Sequence, residues 1–177
     1  KRFIRRGPVG TVFTIAPWNY PLLTSVNSIV PALMAGNSVL LKASAQVPLC
    51  GEHFAQAFRS AGLPKGVFQN LFLSHEDTER IANSGKMDFI YFTGSVPAGQ
   101  RIEQAAAGTF AGVALELGGK DPAYVMEDAN FVDAVENLVD GAFSNSGQSC
   151  CGIERIYVHE TLFENFVEAY VEKVKQY

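Results

Sequence analysis

Asp88-Phe89-Ile90-Tyr91-Phe92-Thr93-Gly94-Ser95-Val96-Pro97-Ala98-Gly99, continued by Val113-Ala114-Leu115-Glu116-Leu117, is the stretch on which the fold turns. Residues 88–92 form an apolar, aromatic run of strand length, broken by Gly94. Residues 96–107 carry helical spacing, and 113–117 is a second apolar run. A strand, one helix and a second strand at this spacing predict a right-handed βαβ unit with parallel strands.

The same alternation runs upstream. Strands are predicted over 9–15, 38–42 and 67–73. Helices are predicted over 22–35, with Gly36-Asn37 as a stop and a kink at Pro31, over 47–61, closed by Gly62 with Pro64 just beyond, and over 75–83, ended by Gly85. The fold class is therefore α/β, a Rossmann-like, mostly parallel sheet with flanking helices. Beyond Gly118-Gly119 the texture changes, with strands over 123–126 and 155–159 and helices over 131–143 and 162–176. We place a domain boundary there, giving residues 1–117 and 118–177. The final helix ends with the chain and nothing follows to cover it, so a truncated piece of a longer protein is expected.

Composition narrows the function classes. With 177 residues, 47% hydrophobic and 18% charged, the chain has enough apolar surface for a real core. A net charge of −4 and a pI near 5.4 give no broad basic surface for nucleic acid or anionic lipid. The basic start, Lys1-Arg2-Phe3-Ile4-Arg5-Arg6, reads as a solvated strand edge rather than a binding tail. Three cysteines, two of them adjacent, argue against a disulfide framework and for a reducing compartment, the cytoplasm. Apolar runs are too short to span a bilayer, and His53, His75 and His159 lack ligand spacing, so neither membrane nor metal is expected.

Three segments offer chemistry. Ser146-Gly147-Gln148-Ser149-Cys150-Cys151-Gly152 sets a thiol among glycines, where free backbone N–H groups can hold an oxyanion beside a nucleophile. Glu116 is a lone carboxylate in an apolar strand. Burial there would make ionisation costly and move its pKa towards the range of a general base, whereas Leu115 and Leu117, on the opposite face, equally allow a carboxylate facing solvent. Asn19, in Ala16-Pro17-Trp18-Asn19-Tyr20-Pro21, offers an amide donor on a rigid turn, or a cap for the helix beginning at Leu22. The glycine-flanked junction Gly94 to Gly99 suits a pyrophosphate at a helix N-terminus, and Lys42 ends a parallel strand where doubly wound sheets bind ligands.

Taken in order, Pro17 to Pro21, Leu41-Lys42-Ala43-Ser44, Phe92 to Ser95, Leu115 to Lys120, and Gly147-Gln148-Ser149-Cys150 resemble the aldehyde dehydrogenase superfamily. The family patterns are P-W-N-[FY]-P, L-K-x-[SA], F-T-G-S, L-E-L-G-G-K and G-Q-x-C, and the resemblance covers nearly the whole chain. It implies that residues 1–117 are part of a dinucleotide-binding domain and 118–177 the beginning of a catalytic domain. It implies oxidation of an aldehyde to a carboxylic acid with NAD(P)+, through a thiohemiacetal and thioester on Cys150, with Cys151 a bystander. Glu116 is then the base for the hydrolytic water, favouring a free acid over an acyl-CoA product, and Asn19 shares the oxyanion with the Cys150 N–H. Ile15, Trp18, Lys42, Phe92, Thr93, Gly94, Ser95, Gly99 and Leu117 are the implied cofactor contacts.

NAD-preferring members often carry a glutamate three residues after the lysine. Here Ala45 stands there, so NADP is allowed, and the reading leans slightly to NAD. Ser74 to Thr78 also lacks a glycine that some members place near the phosphates. Members are well over twice as long and usually oligomeric, so a homo-oligomer is expected of the full-length protein. The piece alone is expected to be inactive, because a downstream glutamate for the nicotinamide ribose and the oligomerisation strand are missing. Two other classes compete: a non-catalytic, dinucleotide-binding remnant, and a cysteine hydrolase, which would need a histidine such as His159 beside Cys150.

Overall fold

The computed structural model describes residues 2–177. By its contacts the chain divides into two compact units, 1–117 and 118–177. In the first, β1 (Thr11–Ile15), β2 (Ser38–Lys42), β3 (Phe68–Asn70), β4 (Phe89–Gly94) and β5 (Gly112–Leu117) form one sheet in the order β3-β2-β1-β4-β5. Every neighbouring pair is parallel. The crossovers carry α1 (Pro21–Met34), α2 (Leu49–Ser60), α3 (His75–Ala82) and α4 (Val96–Ala106). The chain runs outward from β1 to β3, then returns to place β4 on the other side of β1. The direction of winding reverses between β1 and β4, which opens a crevice at their carboxyl ends.

Both faces of this sheet are covered, which is why its strands read as continuous apolar runs rather than alternating ones. On one face Phe13, Ile15, Ile90 and Phe92 pack with Ile102 and Ala106 of α4 and Ala82 of α3. On the other, Val12, Val39 and Leu41 pack with Ile29 of α1. The buried hydroxyl of Thr14 is satisfied by Ser28 Oγ at 3.0 Å. α1 starts at Pro21, where the missing N–H costs nothing, and continues through Pro31.

The second unit is one βαβ turn with an added helix. β6 (Asp121–Val125) and β7 (Ile153–Val158) are parallel, α5 (Phe131–Phe143) joins them, and α6 (Phe163–Val174) follows. Val125, Val135 and Phe166 form its core. Tyr170 donates to the Leu138 carbonyl at 3.3 Å and Lys173 pairs with Glu136 at 2.8 Å, tying α6 to α5.

The differences from expectation have local causes. Lys1 of the basic start lies outside the described residues, and residues 2–9 form no strand. The backbone N–H groups of Val9 and Gly10 donate to Asn37 Oδ1 at 2.7 and 2.9 Å, so a side chain takes the bonds a ladder would need. The strand expected over 67–73 keeps only Phe68–Asn70, an edge strand whose last tie is Leu71 N–H to the Leu41 carbonyl at 2.8 Å. β6 begins earlier than expected because a register irregularity at Asp121/Pro122 absorbs the N–H that proline lacks. Among the described residues no helix is long and apolar enough to cross a membrane.

Candidate active site

The candidate residues of the first unit gather at the carboxyl edge of its sheet. In the strand register Ile15 stands beside Lys42 on one side and Phe92 on the other. Thr93 stands beside Glu116, and Gly94 beside Leu117. Trp18 and Asn19 follow β1 and Ser95 follows β4, so they come from the two strand ends that flank the crevice.

Lys42 is the strongest electrostatic anomaly there. The residue is only 6% exposed, and its ammonium has no hydrogen-bond or ion-pair partner among the described residues. Burial lowers its pKa from the ordinary lysine value, because desolvation penalises the charged form. A group with oxygen acceptors bound at this edge would relieve that penalty. Ser44 is half-buried and Ala45 exposed just beyond it.

The junction between β4 and α4 is built by absent side chains. Ser95 caps α4, its Oγ accepting from Ala98 N–H at 3.4 Å. With Pro97 lacking an N–H, the amides of Ser95 and Val96 are what this turn can offer an anion. A Cβ at Gly94 would stand 2.7 Å from Phe92 Cζ, and one at Gly99 would stand 2.6 Å from Leu117 Cδ2. Phe92 is therefore a buried floor under the turn, and Gly99 serves helix-on-strand packing. Gly94→Ala should displace the Phe92 ring and cost about 1–3 kcal/mol, the usual range for overpacking. Urea unfolding checks this; a loss below about 0.5 kcal/mol would mean the ring relaxes freely.

Glu116 departs from one of its two sequence readings. It is exposed on β5, while Leu115 and Leu117 pack towards the core cluster. The burial expected to favour its protonated form is not supplied by the described residues. Among the described residues, strand alternation turns its side chain away from the core cluster. Asn19 is half-buried; the cap of α1 is Tyr20, without a side-chain bond, so Asn19 stands outside the capping position.

In the second unit Cys150 lies between α5 and β7. The Ser144–Gly147 turn precedes it, and here the backbone is unusual. Asn145 (φ 52°), Ser146 (φ 58°) and Gly147 (φ 72°) are successive residues in the left-handed region. Sequence reading missed this turn; its signal was Asn-Ser-Gly, since Asn and Gly are the residues that enter this region most readily. Cys150 and Cys151 are both free and exposed. The Cys151 Sγ lies 3.3 Å from Ser149 Oγ, which also accepts the Cys151 N–H at 3.4 Å. Among the described residues nothing bonds the Cys150 thiol or accepts its backbone N–H, so nucleophile and donor are both open.

Within the second unit, among the described residues, no histidine lies beside this thiol. His159 follows β7 while Cys150 precedes it, and a six-residue strand separates them by roughly 20 Å. The His159 ring Nδ1 instead meets Thr161 Oγ1 at 2.9 Å. Among the described residues no cluster of three metal-ligating side chains occurs.

The family profile of the aldehyde dehydrogenases matches residues 1–177. The chain belongs to the aldehyde dehydrogenase family. Curated aldehyde dehydrogenases of known name are similar throughout it. The D-glyceraldehyde dehydrogenase (NADP(+)) of Picrophilus torridus is 40% identical over 99% of this chain and 36% of its own length. The succinate-semialdehyde dehydrogenase [NADP(+)] of Mycobacterium avium is 38% identical over 99% of this chain and 37% of its own. The chain thus spans a little over a third of the length of the relatives it matches. Among solved aldehyde dehydrogenases, 3,6-anhydro-L-galactose dehydrogenase in complex with NAP superposes with a TM-score of 0.92 and 36% identity. That match covers 96% of this chain and 36% of the other. Lactaldehyde dehydrogenase from Escherichia coli gives 0.91 and 38%, covering 94% of this chain and 35% of its own.

Proposed function

We propose that the protein carrying this chain oxidises a small aldehyde to a carboxylic acid with NAD(P)+. The observation that carries the reading is Cys150, an exposed thiol whose own N–H is open, in a chain of the aldehyde dehydrogenase family. Its thiolate adds to the aldehyde carbon, forming a C–S bond and turning the carbonyl oxygen into an oxyanion. The Cys150 N–H and the Asn19 amide receive that charge, a donor role typically worth about 3 kcal/mol each in the transition state. A nicotinamide ring held at the strand ends would supply the hydride acceptor needed to oxidise the Cys150 adduct to a thioester. Glu116 takes a proton from water, whose oxygen attacks the thioester carbon; the C–S bond breaks, and the acid leaves with the Cys150 thiolate restored.

The residues fit a dinucleotide. Lys42 presents an unpaired, desolvated ammonium to acceptor oxygens such as ribose hydroxyls, and the amides of Ser95 and Val96 suit a phosphate. Ile15, Trp18, Thr93 and Leu117 lie on the same strand ends or just after them, with Phe92, Gly94 and Gly99 shaping the turn. On this reading residues 1–117 are dinucleotide-binding and 118–177 begin the catalytic domain. The lean to NAD finds no support, since relatives named for NADP(+) are similar over nearly the whole chain; we therefore put NADP first. Three free cysteines keep the cytoplasm as the expected compartment, and a homo-oligomer remains our expectation for the longer protein.

Two tests follow. In a version extended to the length of its relatives, an aldehyde panel should yield NAD(P)H with matching acid; hydrolysis of acyl esters without cofactor reduction would overturn the reading. Ala45→Glu should penalise NADP by about 1–3 kcal/mol, through like charge near a 2′-phosphate, and leave NAD nearly unchanged. Comparing kcat/KM for both cofactors measures it, and an unmoved ratio would remove position 45 from the ribose site.

A further inference from the structure

Asn145 makes a side-chain clasp across the turn before the nucleophile, and nothing in the proposed chemistry uses it. Its Nδ2 donates to the Gln148 carbonyl at 3.2 Å, and Gln148 Nε2 donates back to the Asn145 carbonyl at 3.0 Å. The Gln148 N–H reaches the same Asn145 carbonyl at 3.1 Å, and Ser149 N–H reaches Gly147 O at 2.9 Å. The clasp encloses Ser146 and Gly147, both at positive φ. Left-handed backbone at a non-glycine residue costs about 1–2 kcal/mol, and two in succession, Asn145 and Ser146, persist only if something holds them. Here two side-chain amides exchange bonds with each other's backbone across the turn.

The consequence falls on Cys150. The Asn145 and Gly147 carbonyls are occupied within the turn by Gln148 and Ser149, and the Ser149 carbonyl accepts from Gly152 N–H at 3.4 Å. With those bonds made, the Cys150 N–H is passed over. If the turn relaxed to right-handed geometry, the helix α5 could propagate into it and the Cys150 N–H would become an ordinary donor within it. We propose that Asn145 is a positioning residue that acts through Gln148 to keep the Cys150 thiol exposed and its N–H open. This rests on Cys150 being the nucleophile of the proposed reaction, yet its test needs neither aldehyde nor cofactor.

The test is iodoacetamide labelling of the version extended to the length of the relatives, without aldehyde or cofactor, with Cys50, Cys150 and Cys151 followed separately by peptide mass spectrometry. Asn145→Gly keeps easy access to positive φ and removes only the amide; Asn145→Ala removes both. The unaltered chain should label Cys150 several-fold faster than Cys151, whose sulfur is engaged by Ser149. Both variants should bring that ratio to within about twofold of unity, Asn145→Gly doing so with an unchanged melting temperature. A general loss of stability would also draw the ratio towards unity, but it would speed the half-buried Cys50 and lower the melting temperature, so the proposal requires Cys50 labelling to stay at its original rate in Asn145→Gly. A wild-type ratio retained in Asn145→Gly would overturn the proposal, because the turn would then hold without the clasp. If the ratio collapses but the extended protein shows no aldehyde oxidation, the clasp stands and the proposed function falls.

Discussion

Replacing Cys150 with alanine, in a version extended to the length of the relatives, is expected to abolish aldehyde-dependent NAD(P)H formation. Without the sulfur no covalent adduct forms, so no activated C–H bond is offered to the cofactor, and losses of nucleophiles of this kind reach many orders of magnitude. Cofactor binding should survive, since the candidate contacts lie in residues 1–117. Cys151→Ala should keep most of the activity. Turnover retained in Cys150→Ala and lost in Cys151→Ala would move the nucleophile by one residue; turnover retained in both would discard the cysteine route.

Glu116→Gln separates the two chemical halves. Acylation of Cys150 should still occur, so one equivalent of NAD(P)H appears in a burst, after which turnover stalls at the thioester. Intact mass should then show an acyl adduct on Cys150. Glu116 is exposed in the described residues, so water reaches its carboxylate. Normal steady-state turnover would remove Glu116 from deacylation. Loss of the burst itself would assign it to the first half, as the acceptor of the thiol proton.

The fold was legible because both sheet faces are buried. Ser38–Lys42 and Phe131–Phe143 fall where their apolar spacing put them, since the strand starts just past the Gly36-Asn37 stop and the helix ends with its last apolar turn. Edges were less legible. Whether residues 71–73 remain in a strand depends on a neighbour they lack, and whether residues 2–9 pair depends on Asn37, far along the chain. At the site, the residue types were readable from motif and spacing, but solvent exposure was not. Glu116 reads the same in sequence whether its strand is central or at the sheet's edge, and only the strand order decides. Lys42 shows the converse: a lysine ending an apolar strand gave its position, while its missing partner is a fact of three dimensions. The left-handed Asn145–Gly147 turn was hidden because its two polar residues look like an ordinary loop.

Phe92 occupies space that a side chain at 94 would otherwise take. Its ring lies 2.7 Å from where a methyl on residue 94 would sit and 3.5 Å from where one on residue 99 would sit. Only the first of these is a clash, so positions 92 and 94 cannot vary independently over evolutionary time. A residue larger than glycine at 94 is tolerated only after the ring at 92 has shrunk, and shrinking the ring first opens a cavity worth about 3 kcal/mol or more. Each single step descends before the double step recovers. A lineage that starts with Phe-Thr-Gly-Ser at the end of this strand is held there by packing alone, whatever the turn binds.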